Sequence, residues 1–317
     1  MLENVKKKIL ITIALGGIVY LGFSLYASYG DVVKALENFH WILFPLLIAL
    51  SFLNYITRFI KWDYYLSLIN VKIKKFDSFS IFLSGLVMSV TPGKVGEFLK
   101  SYLVREIDET PISKTVPVVI AERITDSLSI IFIILLGAYF FDVAKYFVLF
   151  FTALLIGVIF VLSNKKISLV IISFLERFKF FEKHLYKVHM AYESSFVLLS
   201  PLPLFKMILL SLVGWFFECL EYYIILKDLN IDVTLFWASF SYGFSTMVGA
   251  ISMIPGGLGF TEGSMTFLLI KRHFSKNIAV ASTILIRIVT LWFAVLVGIL
   301  SLAVYQSRFN KYLANKA

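Results

Sequence analysis

Long apolar runs separated by short polar segments make up almost the whole chain. A helix needs about 20 predominantly apolar residues to cross a bilayer. We therefore predict an all-α polytopic membrane protein that forms one integral membrane domain over residues 1–317. The runs predict about six spanning helices, at about 9–27, 41–60, 116–140, 146–163, 206–226 and 278–305.

Two further apolar elements, at about 78–91 and 235–254, are too short to cross a bilayer comfortably. Both end in the same motif, Ser-x-x-Pro-Gly-x-x-Gly, which begins at Ser89 and again at Ser252. A second short apolar arm follows each motif. This arrangement predicts two re-entrant helical hairpins.

Matching arginines follow the two motifs. Arg123 lies 31 residues after Pro92, and Arg287 lies 32 residues after Pro255, each inside a long apolar run. We interpret this agreement as an internal repeat. Its two copies span about 41–140 and 206–305.

The basic residues indicate how the chain is oriented. With the N-terminus in the cytoplasm and both short elements re-entrant, 22 of the 30 Lys and Arg residues fall on the cytoplasmic side and six on the outer side. Cytoplasmic loops normally carry this excess. The count treats Arg58, Lys61 and Lys100 as cytoplasmic, with Arg58 snorkelling from a helix end. The same topology makes the repeat inverted and predicts a multi-pass protein of the cytoplasmic membrane.

Composition agrees with this interpretation, since 59% of the residues are hydrophobic and the mean hydropathy is +0.87. The net charge of +10 is explained by lysine-rich loops that also attract anionic lipids, so we predict membrane lipids and no nucleic acid as partners. The single cysteine, Cys219, allows no intrachain disulfide. The first apolar run has about 19 residues, more than the roughly 7–15 of a signal peptide, which favours a retained helix.

Residues 168–199 mix aromatic and basic positions, which is typical of an amphipathic segment on the membrane surface. A soluble helical hairpin is the alternative interpretation.

The Pro-Gly breaks predict a buried or cavity-lining backbone, because unsatisfied amides and carbonyls cannot face lipid. Free amides at the start of a returning arm form an anion site, or the breaks are tight turns that bind nothing. The residues of interest are Pro92, Gly93, Lys94 and Gly96 in the first break and Pro255, Gly256, Gly257 and Gly259 in the second.

Ionisable residues inside apolar runs are expensive, so they should face the interior and form pairs. We predict that Arg123 pairs with Glu97 or Asp126, and that Arg287 pairs with one of three acids. Those three acids are Glu218, Glu221 and Glu262. Such pairs bind a substrate, hold the repeats together, or do both. Glu122, beside Arg123, belongs to the same group.

Catalytic patterns are weak in this sequence. No His-Glu-x-x-His motif and no nucleotide-binding loop occurs in it. We predict a transporter rather than an enzyme, with no catalytic residue, metal or cofactor, although paired carboxylates near an arginine leave an intramembrane enzyme open.

Three stretches, Thr91–Lys100, Ala121–Asp126 and Ile254–Glu262, together resemble the flippase-like membrane region of lysyl-phosphatidylglycerol synthases. The resemblance covers nearly the whole chain and implies two inverted re-entrant elements around a lipid-accessible cavity. In bifunctional members a soluble domain makes the lipid and the membrane region is associated with its movement. Because this chain ends at Ala317, we expect a stand-alone member without aminoacyl transfer.

Taken with the repeat, the resemblance implies a lipid translocator for an anionic or phosphate-bearing lipid, such as a phospholipid or a polyprenyl-linked lipid. The alternatives are an ion- or proton-coupled carrier of a small solute and an intramembrane lipid-modifying enzyme. A homo-oligomer and a complex with a lipid-glycosylation enzyme both remain open.

Overall fold

A computed structural model describes residues 16–91, 96–138 and 185–316, together with isolated positions at 14 and between 146 and 161. Within these residues every regular element is a helix. The helices are α1 (Gly16–Tyr26), α2 (Tyr29–Glu37), α3 (Phe44–Leu68), α4 (Lys75–Leu86), α5 (Leu99–Asp108), α6 (Ile112–Ala138), α7 (Leu185–Leu198), α8 (Pro201–Asp228), α9 (Leu235–Ile251), α10 (Phe260–Lys271), α11 (Lys276–Arg287) and α12 (Phe293–Lys316).

Among the described residues, three helices are long and apolar enough to cross a membrane. They are Trp41–Leu68, Pro201–Asp228 and Lys276–Arg308, which contain the predicted spans 41–60, 206–226 and 278–305. The predicted span 116–140 corresponds to α6, which has 27 residues. Most of the predicted span 146–163 and of the amphipathic segment 168–199 lies outside the described residues. The last part of that segment forms α7, which packs against α6.

The two short elements are helices that stop before the Pro-Gly pair of each motif. The first is α4, extended by a 3₁₀ turn at Val87–Val90, and the second is α9. Their return arms are α5 and α10. Residues 92–95 lie outside the described residues, and so do the predicted site residues Pro92, Gly93 and Lys94.

The ends of α3 and α8 repeat the same local structure. Asn70 and Asn230, 160 positions apart, both have positive φ, at 54° and 58°. Just beyond them, Val71 N–H bonds to Leu66 O at 3.0 Å and Ile231 N–H bonds to Leu226 O at 2.9 Å. Asparagine tolerates the left-handed conformation that closes a helix in this way. The two helix ends therefore share a local structure outside the Pro-Gly motifs.

Helix α3 shows why the chain buries charge and exposes apolar groups. Its polar side chains at Ser51, Asn54, Arg58 and Lys61 are spaced three or four residues apart and so share one face. Several large apolar side chains on the other faces are exposed, among them Phe52, Leu53, Ile56 and Ile60. A helix with this arrangement is stable when lipid surrounds it and a polar interior lies behind it.

Candidate functional site

A cavity of about 330 Å³ is lined by residues from two parts of the chain, 54–130 and 215–294. Its wall includes Arg58 of α3, Arg123 and Asp126 of α6, Glu218 of α8, and Gly256 of the second break. Five cations and four carboxylates line it in all. Charged groups this dense inside a membrane protein indicate a functional or structural polar centre.

Asp126 is the centre of the charge network. Its Oδ1 atom lies 2.6 Å from Lys61 Nζ, and its Oδ2 atom lies 3.0 Å from Arg58 Nη1 and 3.2 Å from Arg123 Nη2. Ser211 Oγ donates a further hydrogen bond to Oδ1 at 2.9 Å. One buried carboxylate thus contacts three cations. The attraction between opposite charges is strong there because little water screens it.

Arg123 contacts both of its predicted partners. Its Nη2 atom lies 3.1 Å from Glu97 Oε2, in addition to the contact with Asp126. The side chain nevertheless remains 31% exposed, and its Nε atom has no acceptor among the described residues. Arg123 is therefore a partly exposed cation in the cavity wall, and its Nε atom is a buried donor without an acceptor among the described residues.

Of its three predicted partners, Arg287 pairs with Glu262. Its Nε atom lies 2.6 Å from Glu262 Oε1, and its Nη2 atom donates to the carbonyl of Gly256. Glu262 Oε2 also accepts from Gly259 N at 2.7 Å, at the start of α10. Arg287 is buried. Arg287 therefore connects α11 both to α10, through Glu262, and to the second break, through Gly256. We call this pair of contacts the Arg287 clamp.

The described amides of the second break are already bonded within it. Gly257 N donates to Ile254 O, Leu258 N to Pro255 O, and Gly259 N to Glu262. The predicted anion site made by free amides is therefore wrong for these three groups, because neighbouring acceptors satisfy them. The positive φ of 63° at Gly256 and 65° at Gly257 explains why glycine stands at the turn.

Arg58 does not snorkel towards water, contrary to the sequence prediction. Only 13% of its side chain is exposed, its guanidinium lies 4.8 Å from the ring centre of Trp215, and its Nε atom donates to Asn54. The Arg58 guanidinium turns inward because the buried carboxylate of Asp126, 3.0 Å away, needs a positive charge to balance it.

The count of cytoplasmic cations was also wrong for Lys61 and Lys100, because both are buried in the site. Lys61 is 1% exposed and bonds to Asp126 and to Ser211 Oγ at 2.7 Å. Lys100 Nζ lies 2.5 Å from Glu122 Oε2 and faces the ring of Trp62. The spacing of Arg58 and Lys61 could have indicated that both side chains point into the site, because residues three apart share a helix face.

The two carboxylates of α8 have different surroundings. Glu218 lines the cavity, where Asn54 Nδ2 donates to Oε1 at 3.0 Å and Tyr242 Oη donates to Oε2 at 2.6 Å. Glu221 is fully buried and lies 2.9 Å from Ser51 Oγ. Neither contacts Arg287 in the described structure, because Glu262 occupies that position.

Helices α3 and α8 contact each other reciprocally. Ser51 bonds to Glu221, and Lys61 bonds to Ser211. Ser211 and Glu221 lie 160 positions after Ser51 and Lys61, so equivalent residues exchange contacts. Because position 51 meets 221 while position 61 meets 211, the two helices run antiparallel.

The described side chains contain no group of three histidine, cysteine, aspartate or glutamate residues placed to hold a metal ion. The arrangement can bind an anion at Arg123 and can exchange protons among its carboxylates.

The lysylphosphatidylglycerol synthase TM region family matches residues 9–298 of the chain. The chain belongs to this family. Within it, MJ1078, a UPF0104 membrane protein of Methanocaldococcus jannaschii, is 28% identical over 243 residues, which cover 71% of this chain and 96% of the relative. A UPF0104 membrane protein of Methanothermobacter thermautotrophicus is 22% identical and covers 98% of this chain and 99% of its own. A third, PH1989 of Pyrococcus horikoshii, is 32% identical over 28% of this chain and 27% of the relative.

Proposed function

We propose that this protein is a lipid translocator of the cytoplasmic membrane that moves an anionic or phosphate-bearing lipid. The observation that carries the proposal is Arg123, a cation of the cavity wall whose side chain stays 31% exposed although it contacts Glu97 and Asp126. A guanidinium matches the geometry of phosphate oxygens and binds them through two parallel hydrogen bonds. A headgroup with such oxygens would bind the exposed part of the Arg123 guanidinium.

Cavity size favours a headgroup over a whole lipid. Small-molecule sites usually measure about 300–1,000 Å³, and this cavity of about 330 Å³ lies at the lower limit. It has room for a phosphate-bearing headgroup but not for two acyl chains. The tails would stay in the bilayer while the headgroup crosses, which is how a translocator lowers the cost of moving charge through the bilayer.

The charges of the cavity wall are balanced, and an anion that binds there would disturb this balance. Apart from the Arg287–Glu262 clamp, the cavity wall holds four cations and four carboxylates. An anionic headgroup at Arg123 would compete with Glu97, which lies 3.1 Å away beside the first break. Displacing Glu97 would move the break, so binding and motion of the first hairpin would be linked.

We further propose that the two halves are inverted repeats with the N-terminus in the cytoplasm. The reciprocal contacts of the antiparallel helices α3 and α8 support this, since a two-fold axis relates equivalent contacts in this manner. Transporters built from inverted repeats with broken helices alternate access by rocking one repeat against the other. The substrate site then lies where the repeats meet, as the cavity does.

The test is movement of fluorescent lipids in liposomes that contain the purified protein. Anionic and zwitterionic lipids carry the dye on the acyl chain, and a membrane-impermeant quencher reports which leaflet holds them. We expect faster exchange of the anionic lipid with protein than without it. Arg123→Gln should slow that exchange by about tenfold or more, because a charge-assisted bond of about 1.5–3 kcal/mol is lost.

Arg105→Gln is the matched control, because Arg105 is exposed on α5 and lies outside the cavity wall. It should exchange lipid at the wild-type rate. Equal rates for wild type, Arg123→Gln and empty liposomes would overturn the proposal.

A small anionic solute is the second candidate, because the cavity volume would also hold a free anion without tails. Uptake of inorganic phosphate by the same liposomes, without lipid exchange, would favour this carrier. A chemically altered lipid after incubation, detected by mass spectrometry, would favour an enzyme instead.

A further inference from the structure

Glu221 is a buried acid without a counter-ion. Its exposed fraction is 0%, and no cation among the described residues pairs with it. Its Oε2 atom has no hydrogen-bond partner in the described part of the chain. An ionised carboxylate in such a place loses its hydration without compensation, which is far more costly than burying the neutral acid.

The hydrogen bonds around Ser51 give a second, independent observation. Ser51 Oγ lies 2.9 Å from Glu221 Oε1 and 3.0 Å from the carbonyl oxygen of Val289. A serine hydroxyl has one proton to donate, and neither a carboxylate nor a carbonyl can donate in return. Both short contacts are hydrogen bonds only if Glu221 carries a proton and donates to Ser51, which then donates to Val289.

The two halves of the repeat carry different charges at the positions that correspond to Glu221 and to its expected partner. Lys61 is the counterpart of Glu221, and its ammonium pairs with Asp126 at 2.6 Å. The counterpart of Asp126 is Thr290, 164 positions later, the same interval as from Arg123 to Arg287. A charged pair in the first half thus corresponds to an acid and a neutral hydroxyl residue in the second. Among the described residues, no charged group stands where Glu221 would need one.

The acceptor Val289 belongs to a π-helical turn, Ile288–Trp292, which directly follows Arg287. Such turns interrupt the regular hydrogen bonding of a helix and occur often at functional sites. Loss of the Glu221 proton would make Oε1 an acceptor that competes for the single proton of Ser51. Val289 would then lose its donor, beside the arginine that clamps the second break.

We propose that Glu221 is a proton-binding site and that exchange of its proton is coupled to movement of the Arg287 clamp, so that protons drive transport. The coupling rests on the proposed translocation. On release, the proton first reaches Glu218, which lies one helical turn earlier and lines the cavity. The cavity then passes it to solvent.

The titratable groups around Glu221 come from three helices. Glu218 and Cys219 belong to its own helix, Tyr55 faces it from α3, and Tyr242 faces it from α9. The helix carrying Val289 contributes a backbone carbonyl. Glu218 already accepts hydrogen bonds from Asn54 and Tyr242, which leaves Glu221 as the acid suited to hold the proton.

Infrared spectroscopy tests the proton site without any transport assay. A protonated carboxylic acid has a C=O stretching band that a carboxylate lacks. At neutral pH we expect Glu221→Gln, which copies the neutral acid in shape, to lose this band from the purified protein. Ser51→Ala should shift the band, because it removes the acceptor of the Glu221 proton. Glu193→Gln, at an exposed position on α7, is the matched control and should leave the band unchanged. A spectrum unaltered by Glu221→Gln would overturn the proton site.

Coupling is tested in the liposomes with the membrane potential clamped. For one coupled proton, each unit of pH difference should enrich the labelled anionic lipid about tenfold in one leaflet. Glu221→Gln should distribute the lipid evenly. An even distribution in wild type, with lipid exchange intact, would overturn the coupling alone. Absence of any protein-dependent exchange would overturn the proposed function and the coupling together, while the infrared result would still decide the proton site.

Discussion

At the scale of single residues, the site depends on one carboxylate, Asp126, that contacts three cations. Asp126 contacts Lys61, Arg58 and Arg123 at once, so its removal takes a partner from the buried Lys61, from the largely buried Arg58 and from the partly exposed Arg123. Breaking a buried pair in this way is far more damaging than losing a surface pair.

We therefore expect Asp126→Asn to lower the melting temperature in detergent strongly, with a loss of about 3–5 kcal/mol. Scanning fluorimetry of the purified protein measures this. Asp232→Asn is the matched control, because Asp232 is 96% exposed and pairs only at the surface with Lys227. If both variants melt together with wild type, Asp126 does not hold the cluster.

Residue pairing was predictable where the bilayer leaves little choice. Arg123 and Arg287 each needed an acidic partner, and the acids that contact them were among the few predicted to lie inside the membrane. Lys61 and Lys100 were not predictable from charge counting, since a lysine near a helix end resembles one in a cytoplasmic loop. Their partners Ser211 and Glu122 come from other helices, and only the fold brings them close.

At the scale of helices, close backbone approach fixes how α12 packs on the end of α4. A Cβ atom added at Gly298 would collide with the backbone nitrogen of Val87. Ser301 Oγ also donates to Ser80 O at 2.9 Å across the same interface. The first Pro-Gly break follows Val87 closely, so this contact helps to position it.

Gly298→Ala should therefore destabilise the protein by about 1–3 kcal/mol, the usual cost of overpacking. Gly22→Ala is the matched control, because a Cβ atom there meets no described atom within 4 Å. Thermal unfolding of the two variants side by side makes the comparison. Equal melting temperatures would mean that α12 can move away from Val87 without penalty.

The positions of the helices were largely predictable from apolar runs and breaks, as α9 shows at Leu235–Ile251 against a predicted 235–254. The repeated helix ends at Asn70 and Asn230 were visible in the sequence only as two isolated asparagines. Their shared positive φ depends on the turn that follows each helix, so it needed the structure to be recognised.

At the scale of the whole molecule, antiparallel packing of α3 and α8 should place equivalent loops on opposite faces of the membrane. The loop after α3 contains the exposed Lys72, and the loop after α8 contains the exposed Asp232. Cys219 is the only cysteine and is buried, so a cysteine-free background is one substitution away.

In that Cys219→Ala background, we expect Lys72→Cys to react with a membrane-impermeant maleimide only from the cytoplasmic side. Asp232→Cys should react only from the outside. Labelling of intact cells reports residues on the outer face, and labelling of inverted vesicles reports residues on the cytoplasmic face. The Cys219→Ala background without an added cysteine is the control. Labelling of both positions from one side would exclude an inverted repeat.

The reciprocal contacts of α3 and α8 also bear on why both halves belong to one polypeptide. Two identical subunits joined across a two-fold axis place the same residue at both equivalent positions. A homodimer of either half would thus bury two lysines or two glutamates where this chain has Lys61 and Glu221. Covalent fusion removes that constraint. It lets the first half keep a lysine at this position while the second half keeps the acid that we propose as a proton site.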